Sequence, residues 1–183
     1  MRYMQRRVID LLPLHENLSF LDLGCGTGWA VGEVARRVNQ RGEFYGIDLA
    51  PKMIERAKEN SRDLKNLHFE QANAEELPFQ NDLFDLALCT NSFHHYPHPA
   101  IALNEIRRVL KPGGRIYIMD FTADGLIARK FDQLVKSREP EHVKFHSTRE
   151  FDGLFADAKL KPVATQSIIS LMKVHVGEKY SPA

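Results

Sequence analysis

Short apolar runs alternate along the chain with stretches in which apolar residues recur every three or four positions. Residues 19–23 form the first run and are cut off by glycines. Ala30, Val31, Val34, Ala35 and Val38 follow at helical spacing. Residues 43–47 read as a second strand. Pro51 then sits where the first turn of a helix tolerates proline, ahead of a stripe of Met53, Ile54 and Ala57. Residues 67–69 make a short third strand. The mostly continuous apolar run at 84–89 is expected of a central strand buried on both faces.

A helix beginning near Pro99 carries Ala102, Leu103, Ile106, Val109 and Leu110 inward, with Arg107 and Arg108 outward. Lys111-Pro112-Gly113-Gly114 stops it and supplies a turn. Residues 115–119 are the fifth strand, and a weaker helical stretch runs over 124–135. Ser147-Thr148-Arg149-Glu150 has the form of a capping box, opening a helix with Phe151, Leu154, Phe155 and Ala158 on one face. Two β-rich pieces, 163–168 and 171–176, close the chain. Strand–helix alternation through five strands demands parallel pairing with right-handed crossovers, so the expected fold is a doubly wound α/β sheet. Such sheets bind ligands at the carboxyl ends of their strands. That places the loops after Leu23, Ile47, Glu70, Cys89 and Met119 on one rim.

Composition narrows the function classes. The 183 residues suit one domain spanning 1–183. Twenty-five Lys+Arg against 24 Asp+Glu leave a net charge of +1, which argues against a dedicated nucleic-acid binder. No apolar run approaches the ~18–20 residues of a membrane span, and the first residues lack the apolar core of a signal peptide. The two cysteines, Cys25 and Cys89, fall at the ends of apolar runs, as small buried residues do. A disulfide framework is therefore not expected, and a cytoplasmic location is the default.

The densest local signal is Leu21-Asp22-Leu23-Gly24-Cys25-Gly26-Thr27-Gly28, a strand running into a helix start. Its glycines permit sharp turning and close approach of a ligand, and free amides at the helix start favour a carboxylate or other anion. A dinucleotide fingerprint fails, because its third glycine would fall on Trp29 or on Val31. A phosphate-binding P-loop fails too, since no Gly-Lys-Ser/Thr follows. Asp48, twenty residues after Gly28 at the end of the second strand, is placed to accept hydrogen bonds from both hydroxyls of a ribose. A nucleoside attached to an amino acid fits such a site. Trp29 either packs in the core or shields the ligand.

LDLGCGTG at 21–28, GIDLAPKMIERAK at 46–58, QANAEELPFQNDLFDLALC at 71–89 and LNEIRRVLKPGGRIYIMD at 103–120 resemble class I S-adenosylmethionine-dependent methyltransferases. The resemblance runs from Leu21 to Asp120 and more loosely to about Lys179, whose last part is weakly similar to quinone-biosynthesis C-methyltransferases. It implies a Rossmann-like sheet of seven strands in the order 3-2-1-4-5-7-6 with the last strand antiparallel, and S-adenosyl-L-methionine as cofactor. Asp22 and the loop Gly24, Cys25, Gly26, Thr27 and Gly28 would hold the methionine moiety, with Asn91 beside it. Asp48 would hold the ribose, Leu49 and Met53 would flank the adenine, and Asn73, Ala74 and Glu75 would meet its edge. Many relatives have an aspartate at position 73 and a Ser or Thr cap at position 50, where this chain has Asn73 and Ala50.

After the fourth strand, Thr90-Asn91-Ser92-Phe93-His94-His95-Tyr96-Pro97-His98-Pro99 concentrates three histidines. Adjacent side chains diverge, prolines constrain the loop and no cysteine or paired carboxylate joins them, so no metal site is expected. A base is required only for an acceptor that loses a proton, and the candidates are His95, then His94. The expected reaction is in-line methyl transfer to a small-molecule acceptor. With only about twenty residues ahead of the first strand, little is expected to cap the pocket, and acceptor contacts are expected from 121–146. The competing readings are a catalytically silent S-adenosylmethionine-binding partner protein, a nucleotide-dependent oxidoreductase on a similar fold and an aminopropyl transferase.

Overall fold

The computed structural model describes residues 1–181; the last two residues of the expected domain, 182–183, lie outside the described residues. Seven strands form one sheet in the order β3-β2-β1-β4-β5-β7-β6. β1 (Leu18–Leu23), β2 (Gly42–Asp48), β3 (Leu67–Gln71), β4 (Phe84–Thr90) and β5 (Leu110–Phe121) pair in parallel. β7 (Met172–Lys179) runs antiparallel to both β5 and β6 (Leu160–Ile169). Order and direction are those expected.

The period-2 alternation of the strands sorts their side chains onto two cores. Phe20, Phe44, Leu88 and Met119 face helices α1 (Arg2–Ile9), α2 (Trp29–Arg37) and α3 (Pro51–Asn60). Leu21, Leu23, Cys89, Ile116 and Ile118 face α4 (Pro99–Val109) and α6 (Thr148–Asp157). Pro51 and Pro99 open their helices as first-turn prolines. Ser147 caps α6 in a complete capping box with Glu150. α5 (Leu126–Lys136) buries only Ala128 among its residues and leaves Leu126 and Ile127 exposed.

Three departures from the sequence reading have physical causes. Lys111–Gly114 does not separate helix from strand: extended structure begins at Leu110, and the four residues bulge from a ladder that pairs Phe84 with Leu110 and Leu86 with Arg115. Arg108 does not point outward. It grips Glu105 and donates to the carbonyls of Leu77 (2.9 Å) and Phe79 (2.6 Å), tying down the segment between β3 and β4. An additional helix, α1, packs Val8 and Ile9 into the first core.

Candidate active site

Strand order reverses between β1 and β4, and there the chain opens a cavity of about 800 Å³. Its first wall is backbone. Gly24, Gly26 and Gly28 all take left-handed φ, at 65°, 54° and 76°. Gly28 is pressed against Phe69, whose Cζ lies 2.7 Å from where a Cβ would sit, whereas a Cβ on Gly26 would meet nothing within 4 Å and would enter the cavity. Asp48 clamps this loop. One oxygen accepts from the Gly26 amide and the other from the Ala50 amide, each at 2.9 Å. Ala50, the N-cap of α3, has no capping side chain, and Asp48 satisfies only that residue's own amide. A carboxylate offers about four acceptor positions, so Asp48 retains capacity for a ligand.

Beneath the loop lies Asp22, 1% exposed, and neither of its carboxylate oxygens has a hydrogen-bond partner among the described residues. Burial pushes its pKa up to about 8, the nearby Val31 amide offsetting part of the shift. An unpaired buried carboxylate is costly unless a ligand or a proton satisfies it. Burial also pushes up the thiols of Cys25 and Cys89, the latter to about 12, which leaves neither as a nucleophile.

Leu49, Met53, Ala72, Asn73, Ala74 and Glu75 continue the wall from the ends of β2 and β3. The Asn73 side-chain oxygen accepts from the Glu75 amide at 3.0 Å, which orients its NH₂ group as a free donor. Glu75 in turn accepts from the His98 amide at 2.9 Å, at the N-cap of α4.

The opposite wall is assembled from distant segments. Asn91 takes a left-handed φ of 52°, donates its amide to Met119 and keeps a buried side-chain oxygen without a partner among the described residues. Ser92 donates to the Leu23 carbonyl at 3.1 Å and lies against Cys89 and Tyr96. A 3₁₀ turn at Phe93–His95 then sends the two histidines in different directions. His94 is buried on Asp120, its Nδ1 2.8 Å from the carboxylate, and its own amide donates to the same group. His95 lines the cavity, and its Nδ1 lies 3.0 Å from the Glu141 carbonyl. A carbonyl only accepts, so Nδ1 carries a hydrogen in this contact, and the lone pair of the neutral ring is then on Nε2. The two rings touch at a tilt of 48°, with centroids 4.0 Å apart. Asp132 of α5 fixes this side by accepting from the Phe145 amide and pairing with His142 at 2.7 Å each.

The roof comes from α1. Met1, Arg2 and Gln5 line the cavity, and Gln5 Nε2 donates to Thr90 Oγ1 at 3.0 Å. The expectation of little cover is corrected: one amphipathic helix suffices. Trp29 packs against the first core and also lines the cavity. Gly24, Cys25, Gly26, Thr27, Asp48 and the residues from Leu49 to Glu75 named above thus share one cavity with Asn91 and His95. Asp22, Gly28 and His94 stand behind its walls. Gln5, Ser92, Tyr96 and Glu141 were not singled out from the sequence; the polarity of the Thr90–Tyr96 loop pointed towards two of them, and the expectation of contacts from 121–146 took in Glu141.

A methyltransferase-domain family model matches residues 14–167. The chain is 32% identical over 144 residues to an uncharacterized methyltransferase, YcgJ, of Bacillus subtilis, covering 76% of this chain and 56% of that protein. It is 36% identical over 124 residues to the ubiquinone/menaquinone biosynthesis C-methyltransferase UbiE of Proteus mirabilis, covering 66% and 49%. The chain therefore spans about half the length of these curated relatives. The crystal structure of the Bacillus subtilis protein YcgJ superposes with a TM-score of 0.86 at 22% identity, over all of both chains. A SAM-dependent methyltransferase from Aquifex aeolicus gives 0.78 at 20% identity, over 95% of this chain and 88% of that one.

Proposed function

We propose that this chain, which belongs to the S-adenosylmethionine-dependent methyltransferases, methylates a small-molecule acceptor within one domain spanning 1–183. The observation that carries the reading is the cofactor-shaped set of demands in and directly behind the walls of one cavity. Asp22 is a buried carboxylate without a hydrogen-bond partner among the described residues, Gly26 leaves open the space a Cβ would fill, and Asp48 stands at the end of β2 with acceptor capacity to spare. These residues fit an amino-acid arm joined to a ribose.

Asp48 would accept from the ribose hydroxyls, while Leu49 and Met53 flank the adenine and Asn73, Ala74 and Glu75 meet its edge. The Gly24–Gly28 loop and Asn91 would line the methionine arm, with Asp22 answering its ammonium. S-adenosylmethionine supplies a methyl already activated on a sulfonium, so the protein's task is alignment and exclusion of water. His95 lines the cavity, and in its neutral form the Nε2 lone pair would take a proton from an acceptor hydroxyl or activated carbon. His94, bound to Asp120, would hold the ring of its neighbour instead of meeting the acceptor.

No helix among the described residues is long and apolar enough to cross a membrane. Acceptor screening covers small metabolites, and quinone-biosynthesis intermediates join the panel because a relative carries that name. The test is a metabolite-library screen for conversion of S-adenosylmethionine to S-adenosylhomocysteine, with calorimetry against both. Micromolar binding and turnover of at least one acceptor are expected. Preference for NAD over both ligands would overturn the reading.

A further inference from the structure

We infer that Arg2 binds the carboxylate of the cofactor's amino-acid arm, making α1 part of the cofactor site; this rests on the cofactor reading above. The charged side chains around the cavity are otherwise acidic or titratable: Asp48, Glu75, Glu141 and His95 line it, and Asp22 lies beneath. A carboxylate entering such surroundings needs a cation, and Arg2 is the one permanently charged cation among the described lining residues.

Three features place it for that task. Its guanidinium sits 5.9 Å from the centre of the Trp29 ring, and Trp29 is the first residue of α2 after the glycine loop. No carboxylate among the described residues pairs with it, whereas Arg37, Arg41, Arg108 and Arg115 each have one. The helix that carries it is held from three sides. Gln5 reaches Thr90 at 3.0 Å, Arg7 reaches the Ile168 carbonyl at 3.3 Å, and Val8 and Ile9 are in the core. The helix is fixed while Arg2 itself is exposed at the cavity, where a planar guanidinium can meet a carboxylate through two parallel N–H donors. Arg6 lies over the same ring at 5.7 Å but does not line the cavity, which makes it the natural control.

An anionic group on the acceptor would present the same chemistry, so the test is made with no acceptor present. Calorimetry compares S-adenosylhomocysteine with 5′-methylthioadenosine, which lacks the amino-acid arm, on the native protein and on Arg2→Ala, Arg2→Lys and Arg6→Ala. Trp29, the chain's one tryptophan, gives an independent fluorescence readout. Arg2→Ala should weaken S-adenosylhomocysteine about 10- to 100-fold and leave 5′-methylthioadenosine unchanged, the scale of a charge-assisted hydrogen bond. Arg2→Lys should recover part of the loss, and Arg6→Ala should change neither ligand. Unchanged S-adenosylhomocysteine affinity in Arg2→Ala overturns the assignment. So does equal weakening of both ligands, which would mean that the residue only packs the helix. If the native protein binds neither ligand, the cofactor reading itself falls and takes this one with it.

Discussion

On the β1–β3 side the cavity wall is made of strand ends and the few residues directly after them. On the β4–β5 side it is made of side chains and carbonyls brought from far along the chain. Gly26 and Asp48 meet 22 residues apart within a single strand–helix–strand unit. His95 meets Glu141 across 46 residues, and Gln5 meets Thr90 across 85. The first wall is fixed by local turn chemistry and by parallel pairing of neighbouring strands. The second depends on buried polar pairs, His94–Asp120 and His142–Asp132, whose loss would loosen the fold as well as the site. A substitution in the first wall should therefore change ligand binding with little loss of stability, and one in the second should often change both.

The largest expected effect is in the first wall. Gly26→Val should abolish measurable S-adenosylhomocysteine binding, because the new side chain enters the cavity. A branched residue at left-handed φ costs roughly 1–2 kcal/mol, so the melting temperature should fall by only about 2–8 °C. Near-native affinity in this variant would mean the loop does not approach the ligand. Next comes His95→Ala, which should cut single-turnover rates by roughly 10²–10⁴-fold with cofactor affinity preserved. An unchanged rate and pH profile in His95→Gln would leave alignment as the whole mechanism.

His94→Ala tests the contrast between neighbours. It removes the partner of a buried carboxylate and should cost about 3 kcal/mol in urea unfolding, whereas His95→Ala should cost far less. Equal costs would erase the distinction drawn between the two rings. Asp48→Ala should weaken S-adenosylhomocysteine by roughly 1.5–3 kcal/mol. Part of that loss comes from freeing the Gly26 and Ala50 amides, so Asp48→Asn should fall between the two.

In pH dependence the two sides should slope oppositely. Asp22 titrates at about 8 in the folded protein and near 4 when unfolded, so the folded state holds the extra proton between these values. Its contribution is full below pH 4 and is lost as pH rises towards 8; Asp22→Asn should stabilise the unliganded protein at pH 8 and not at pH 4. Behind the other wall, His175 is stacked on Phe151 at 4.0 Å, and burial pushes its pKa down to about 4. The unfolded chain binds the proton first, so this contribution is full above pH 6.5 and is lost as pH falls to 4. Glu150, held at about 2 chiefly by Lys144 and its cap against the cost of burial, adds a loss below pH 4.5. Urea midpoints of His175→Gln should depend less on pH between 7 and 4 than those of the native protein.

The first wall was legible because its chemistry is contiguous. LDLGCGTG and the spacing to Asp48 lie on consecutive strands, and the strand ends of a parallel sheet fall on one rim wherever the pattern holds. In the second wall, two adjacent histidines look equivalent until the 3₁₀ turn sends one to Asp120 and the other to the cavity. Glu141 acts through its backbone carbonyl, which no side-chain pattern announces. The α1 helix has no side-chain cap at its start, so its first residues carried no start signal.

The sequence by itself determined the strands, the helices and the backbone cradle, because hydrophobic period and glycine placement act over a few residues and need no distant partner; the strand order came with the family resemblance. Tertiary structure alone decided which histidine is available, what roofs the cavity and which carboxylate stays unpaired. Those outcomes depend on burial and on donors and acceptors supplied from elsewhere in the chain. Free energies of that kind exist only once the chain has folded.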